Sequence, residues 1–177
     1  MHPSGSTVIP LDVALPLLSG DMEALVALDL HDDAIGDQGS AQLAVALGRN
    51  RSLAKLEIWR SHVSSRGATA LAEALKGRSE GLKELNMSSN QDVGDEGATA
   101  IADMLVSNAS LETLWMLSVG LTSKGVVALA ESLRHNNTLR LLQLSDNPLI
   151  DDEGATAMGR MLAANTTFEK LWFGGTS

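Results

Sequence analysis

From Leu25 onward the sequence returns to itself every 28 or 29 residues. A period that short leaves no unit able to bury a core alone, so the units must stack and share one. Successive copies start at Leu25, Leu53, Leu82, Leu111 and Leu139, with a partial copy at Phe168. With each start numbered position 1, positions 4 and 6 are Leu28 and Leu30, Leu56 and Ile58, Leu85 and Met87, Leu114 and Met116, Leu142 and Leu144, Leu171 and Phe173. Apolar residues two apart, recurring in every copy, predict a short strand with one buried face.

After each strand come a loop, a glycine (Gly39, Gly67, Gly97, Gly125, Gly154) and a run such as GATALAEAL. Its large apolar residues recur four apart (Leu43 and Leu47, Leu71 and Leu75, Ile101 and Leu105, Leu129 and Leu133, Met158 and Leu162), the stripe of a helix that packs on one side. Two residues before each glycine stands Asp37, Ser65, Asp95, Ser123 or Asp152, residue types that cap helix N-termini. The expected fold is α/β: a right-handed curved solenoid of about five and a half strand-loop-helix units, with a parallel sheet on the concave face and helices on the convex face. Residues 25–177 form the repeat domain. Residues 1–24 form an N-terminal segment in which 11–24 supply a half-repeat helix over the first strand and 1–10 have no evident packing role. The chain stops just after FEKLWF, so the last strand is expected either to continue in a longer chain or to pair with another molecule.

The LxxLxLxxN...GaxaLaxaL unit resembles the leucine-rich repeat of the ribonuclease-inhibitor subfamily over residues 25–173. The resemblance implies the solenoid and is much less specific as to function. Its members range from enzyme inhibitors to NOD-like receptor sensors, Ran GTPase-activating proteins and tropomodulins. Asn90 and Asn147 match the subfamily's position 9, where the side chain bonds the loop backbone. Asp33, Ser61 and Val119 depart from it, so a less regular fourth loop is expected. Repeats three and five share DEGATA 57 residues apart, resembling the subfamily's alternation of two repeat types.

Thirteen basic against 22 acidic residues give a net charge of -9, which opposes binding to nucleic acid or anionic membrane. No apolar run approaches the roughly 18 residues of a membrane span. The chain has no cysteine, which removes disulfides, thiolate nucleophiles and Cys-based metal sites and fits a cytoplasmic location. No metal, phosphate-loop or hydrolase motif is present, so neither a cofactor nor catalysis is expected. The HDD stretch at His31–Asp33 reads as solvated polar residues rather than metal ligands. Acidic residues gather in the strand-to-helix loops and basic ones at the other rim, as helix dipoles favour. Gln38, Arg66, Glu96, Lys124 and Glu153 could form a charge ladder between repeats. Five Asn-x-Ser/Thr triplets occur, four of them (Asn50, Asn108, Asn136, Asn165) in the turn after a helix, where asparagine suits a cap.

If positions 4 and 6 face the core, positions 3, 5 and 7 face the concave surface. All three tryptophans fall there: Trp59, Trp115 and Trp172. Trp115 and Trp172 are expected about 10 Å apart with Gln143 between them and Leu117 and Leu141 exposed alongside. This apolar patch, with Glu57, Glu84 and Lys170 as polar rim, is the expected site for a protein partner. The function expected is therefore non-enzymatic protein recognition on the concave face. Two alternatives stand beside it: a regulatory repeat region of a GTPase-activating or NOD-like receptor protein, and a structural solenoid that self-associates through its C-terminal end.

Overall fold

The structure, a computed structural model, describes residues 7–8, 10–19 and 25–175. Seven strands, β1 (Thr7–Val8), β2 (Ala27–Asp29), β3 (Lys55–Glu57), β4 (Glu84–Asn86), β5 (Thr113–Trp115), β6 (Leu141–Gln143) and β7 (Lys170–Trp172), form one parallel sheet in chain order. Helices α1 (Leu11–Ser19), α2 (Gly36–Arg49), α3 (Ser65–Leu75), α4 (Gly94–Leu105), α5 (Ser123–Leu133) and α6 (Asp152–Ala164) alternate with them, each packing on the next. The sheet is open, and the strand-helix alternation gives the expected solenoid. Register follows the repeat: Leu28, Leu56, Leu85, Leu114, Leu142 and Leu171 lie side by side. The first five of these are wholly buried, as are Leu30, Ile58, Met87, Met116 and Leu144 two residues later. Trimming one such leucine to alanine costs about 2–5 kcal/mol, because its neighbours cannot close the cavity.

The N-terminal segment contributes more than its helix. Thr7–Val8 pair in parallel with Leu28 and Asp29, so residues expected to have no packing role extend the sheet by one strand. Residues 1–6 and 20–24, part of that expectation and of the 11–24 helix, lie outside the described residues.

The loops leaving the strands are more uniform than their sequences. Position 8 is left-handed in all six units: Asp32 (φ 62°), Arg60 (φ 54°), Ser89 (φ 58°), Ser118 (φ 52°), Asp146 (φ 57°) and Gly175 (φ 71°). The fourth loop therefore keeps the common path despite Val119, because the neighbouring repeat holds it. Asn147 Oδ1 accepts the N–H groups of Val119 (3.0 Å) and Leu121 (3.1 Å), and its Nδ2 donates to Met116 O (3.1 Å) and Leu144 O (2.9 Å). Asn90 does the same for the second loop, accepting from Ser61 (2.9 Å) and Val63 (3.1 Å) and donating to Ile58 O and Met87 O (2.8 Å each). One asparagine serves two loops, so only alternate repeats need one.

The helix caps differ from expectation in the same way. Ser64, Thr122 and Asp151, one residue earlier than expected, cap α3, α5 and α6. Three of the five expected cappers, Asp37, Asp95 and Ser123, instead complete the following helix. Asp37 Oδ1 accepts from Ser64 N (2.9 Å) and Gly67 N (3.0 Å), and Asp95 Oδ1 accepts from Thr122 N (2.9 Å) and Gly125 N (3.0 Å). Ser123 Oγ accepts from Asp151 N (3.0 Å) and Gly154 N (3.2 Å) at the start of α6. The helix glycine makes room for this contact: a Cβ at Gly125 would stand 2.6 Å from Asp95 Oδ1.

On the opposite rim the four turn asparagines form a second ladder. Asn136 Nδ2 donates to Leu105 O (2.8 Å) and Asn108 O (2.9 Å), and Asn165 Nδ2 donates to Leu133 O (2.6 Å) and Asn136 O (2.8 Å). Arg78 takes the ladder place in the second unit, donating to Leu47 O and Asn50 O. It is thus a buried ladder member rather than part of a positive rim. The rim itself is mixed in charge, through Arg51–Glu80 (3.6 Å), Lys83–Glu112 (3.0 Å) and Arg140–Glu169 (2.6 Å). Among the described residues the expected ladder of Arg66, Glu96, Lys124 and Glu153 forms no ion pair; Glu96 Oε2 instead accepts from Ser65 Oγ (3.2 Å).

Candidate functional site

The residues expected at the site divide into two groups along the concave face. Trp59, Glu57 and Glu84 lie on or beside β3 and β4, at the N-terminal end. Trp115, Leu117, Leu141, Gln143, Lys170 and Trp172 lie on or beside β5, β6 and β7.

In the first group nearly every functional atom is already engaged. The Trp59 ring stacks on His31, with centroids 4.4 Å apart and planes 3° from parallel, and the Arg60 guanidinium lies 4.3 Å from the ring centroid. Arg60 in turn holds Asp32 at 2.6 Å. His31 Nδ1 lies 2.6 Å from Asp29 Oδ1, so the HDD stretch is not simply solvated: two of its members are tied into the Trp59 cluster. Lys55 Nζ bridges Glu57 (2.8 Å) and Glu84 (3.7 Å), and the Glu57 hydrogen bond holds the ammonium above the usual lysine range against the opposing effect of burial. Asn86 Nδ2 donates to Glu57 Oε2 at 2.7 Å.

The second group is apolar and largely unspent. Strand register sets Trp115 opposite Gln143 and Gln143 opposite Trp172. The indole rings nevertheless meet, with centroids 5.5 Å apart and planes tilted by 32°. The expected separation of about 10 Å assumed side chains standing straight off the sheet. The rings lean toward each other over the intervening strand, while Gln143 Oε1 turns to its own strand end and accepts from Ser145 N at 2.9 Å. Trp172 keeps 39% of its surface exposed. Leu117 and Leu141, expected to be exposed, are half-buried.

The exposed apolar residues outside the expected patch include one in a strand-to-helix loop. Leu149, in the loop after β6, is 65% exposed. At the same place in the third unit stands the exposed Asp92, so the scaffold does not require an apolar side chain there. Its alignment with Asp92 across the DEGATA repeats was the available signal.

A family model for the leucine-rich repeat matches residues 81–102 and 135–159. The ribonuclease inhibitor of Mus musculus is 31% identical over 154 residues, covering 85% of this chain and 33% of that protein. The chain is a leucine-rich repeat protein of the ribonuclease-inhibitor-like subfamily. A second relative, the centrosomal protein of 78 kDa of Mus musculus, is 29% identical over 164 residues, covering 80% of this chain and 21% of that protein. This leucine-rich repeat chain therefore spans about a third of the first relative's length and a fifth of the second's. Among solved structures, leiomodin-1 actin-binding site 2 superposes with a TM-score of 0.60 at 20% identity, covering 94% of this chain and 80% of that one, a likeness of fold. Among the described residues no helix is long and apolar enough to cross a membrane.

Proposed function

We propose that this leucine-rich repeat chain is a non-enzymatic recognition module that binds a protein partner on its concave face. Leucine-rich repeats of this kind commonly serve protein–protein interaction. What carries the reading here is the Trp115–Trp172 pair: two large rings in contact at 5.5 Å on the face turned away from the core, one of them 39% exposed. The scaffold does not need them, since the same position is Asp29, Glu57 and Asn86 in the first three units. Tryptophan is the side chain most concentrated at interface hot spots, where its truncation costs about 2 kcal/mol or more. A cytoplasmic location fits the cysteine-free sequence. It also fits Asn50, Asn108, Asn136 and Asn165, whose side chains are buried and hydrogen-bonded and have no room for a glycan.

The test is capture from lysate with the parent chain and with Trp115→Ser/Trp172→Ser, after both show the same cooperative unfolding. A partner that is retained by the parent, lost by the variant and bound directly once purified supports the reading. Equal capture by the two chains rejects it.

A second reading, self-association through the α6 and β7 face, is favoured by one observation. Ala155 and Leu162 are exposed and Leu171 and Phe173 only half-buried, whereas their counterparts Ala98, Leu105, Leu114 and Met116 are wholly buried. Light scattering over a concentration series decides it: a rising mass supports this reading, and a constant monomer mass rejects it.

A further inference from the structure

The concave face is saturated at one end and unspent at the other, and this difference points to where a partner sits and what it carries. Among repeats one to three, the charged groups answer one another: Asp29 with His31, Asp32 with Arg60, and Lys55 with Glu57 and Glu84. A partner docking there would have to break those pairs and desolvate both members, which interfaces repay poorly. Repeats four to six offer the reverse. Trp115 and Trp172 meet ring to ring, and the half-buried Leu117 and Leu141 lie on the same concave side, at the end of β5 and on β6. Beside it Lys170 lies on β7 next to Leu141, and among the described residues this exposed lysine forms no ion pair. Lys55, at the equivalent position three, has two carboxylates.

We propose that partner recognition is confined to the C-terminal half of the concave face, where Trp115, Leu117, Leu141 and Trp172 receive an apolar side chain of an extended protein segment whose neighbouring carboxylate pairs with Lys170. The proposal rests on the reading of the chain as a recognition module. The partner is thereby specified by chemistry: an aromatic or large aliphatic anchor with Asp or Glu within one or two residues. A lone exposed charge pair adds little affinity, but one at the edge of a desolvated apolar contact fixes register and excludes competitors of the wrong sign.

The experiment is display selection of random dodecapeptides on the full chain, followed by titration of the selected peptide, made synthetically, by isothermal titration calorimetry. The expected consensus is a Trp, Phe or Leu with an acidic residue close by. Lys170→Glu, with unchanged unfolding, is expected to weaken that peptide at least tenfold and to turn a repeated selection toward Lys or Arg. Glu57→Gln and Trp59→Ser are expected to leave binding within twofold. A consensus lacking acidic residues, indifference to Lys170→Glu, or equal loss with Glu57→Gln overturns the proposal while leaving a recognition module intact. Selected peptides that ignore Trp115→Ser/Trp172→Ser overturn both. Failure to select any peptide overturns the proposal, as does self-association that is lost in the tryptophan variant, because a second copy would then be the occupant.

Discussion

Asn147 and Asn90 each satisfy four backbone groups drawn from two repeats, and every one of those groups is buried or nearly so. Alanine at Asn147 strands them without water. The expected cost is about 3 kcal/mol, readable as a drop in the midpoint of urea unfolding. Val119→Ala removes only side-chain packing from the same loop, so it is expected to cost roughly 1–2 kcal/mol and to separate the two effects. Asp37 makes a different prediction. Burial alone would raise its pKa, but hydrogen bonds from Ser64 and Gly67 and the nearby Arg66 charge outweigh this and hold it below the ordinary 3.8. A carboxyl depressed in the folded state stabilises the fold above the unfolded pKa, and that contribution drains away as pH falls through the lower folded value. Asp37→Asn is therefore expected to be less stable than the parent near neutrality and to lose less on acidification. Thermal midpoints taken from neutral pH into the acid range check this.

At the scale of the element, strands and helices were legible because each repeats its apolar period six or five times over, and an error in one copy is corrected by the others. The caps of α3, α5 and α6 lie one residue before the expected ones, and those of α2 and α4, Ile35 and Val93, lie two residues before. Asp37 and Asp95 are good cap residues, but their carboxylates reach across to the next helix, a contact that no local pattern encodes. The tryptophan patch was placed on the right face with the wrong spacing, since strand separation fixes where Cβ atoms stand and not where large rings lean. Leu149 was missed because it lies outside both apolar periods. Gly120 shows what the fourth loop requires: φ is +76° there, and a Cβ would run into the Gln91 carbonyl oxygen. Gly120→Ala is expected to cost about 1–3 kcal/mol and to leave the helix content by circular dichroism unchanged at low temperature.

Across the whole molecule, each unit touches only its neighbours, so stability is close to a sum of unit and interface contributions. The outer face of α6 leaves Ala155, Gly159 and Leu162 exposed, whereas α4 is covered on both sides. Amides of α6 and β7 are expected to exchange with deuterium faster than those of α4 and β4, with mass spectrometry of peptide fragments as the readout. Equal protection at both places would mean that the stack opens only as one body. The reach of the asparagines and aspartates across repeat boundaries also fixes what may be swapped. In the strand-to-helix loops repeats one, three and five supply Asp37, Asn90, Asp95 and Asn147, and repeats two and four receive from both sides, with Ser123 of repeat four alone also supplying repeat five. Excising a single repeat would set two suppliers or two receivers side by side, each with its lock and no key. The smallest interchangeable part of this chain is a pair, the 57 residues from Leu82 to the residue before Leu139, and lengthening or shortening such a solenoid, by gene duplication or at the bench, keeps its seams closed only in steps of two.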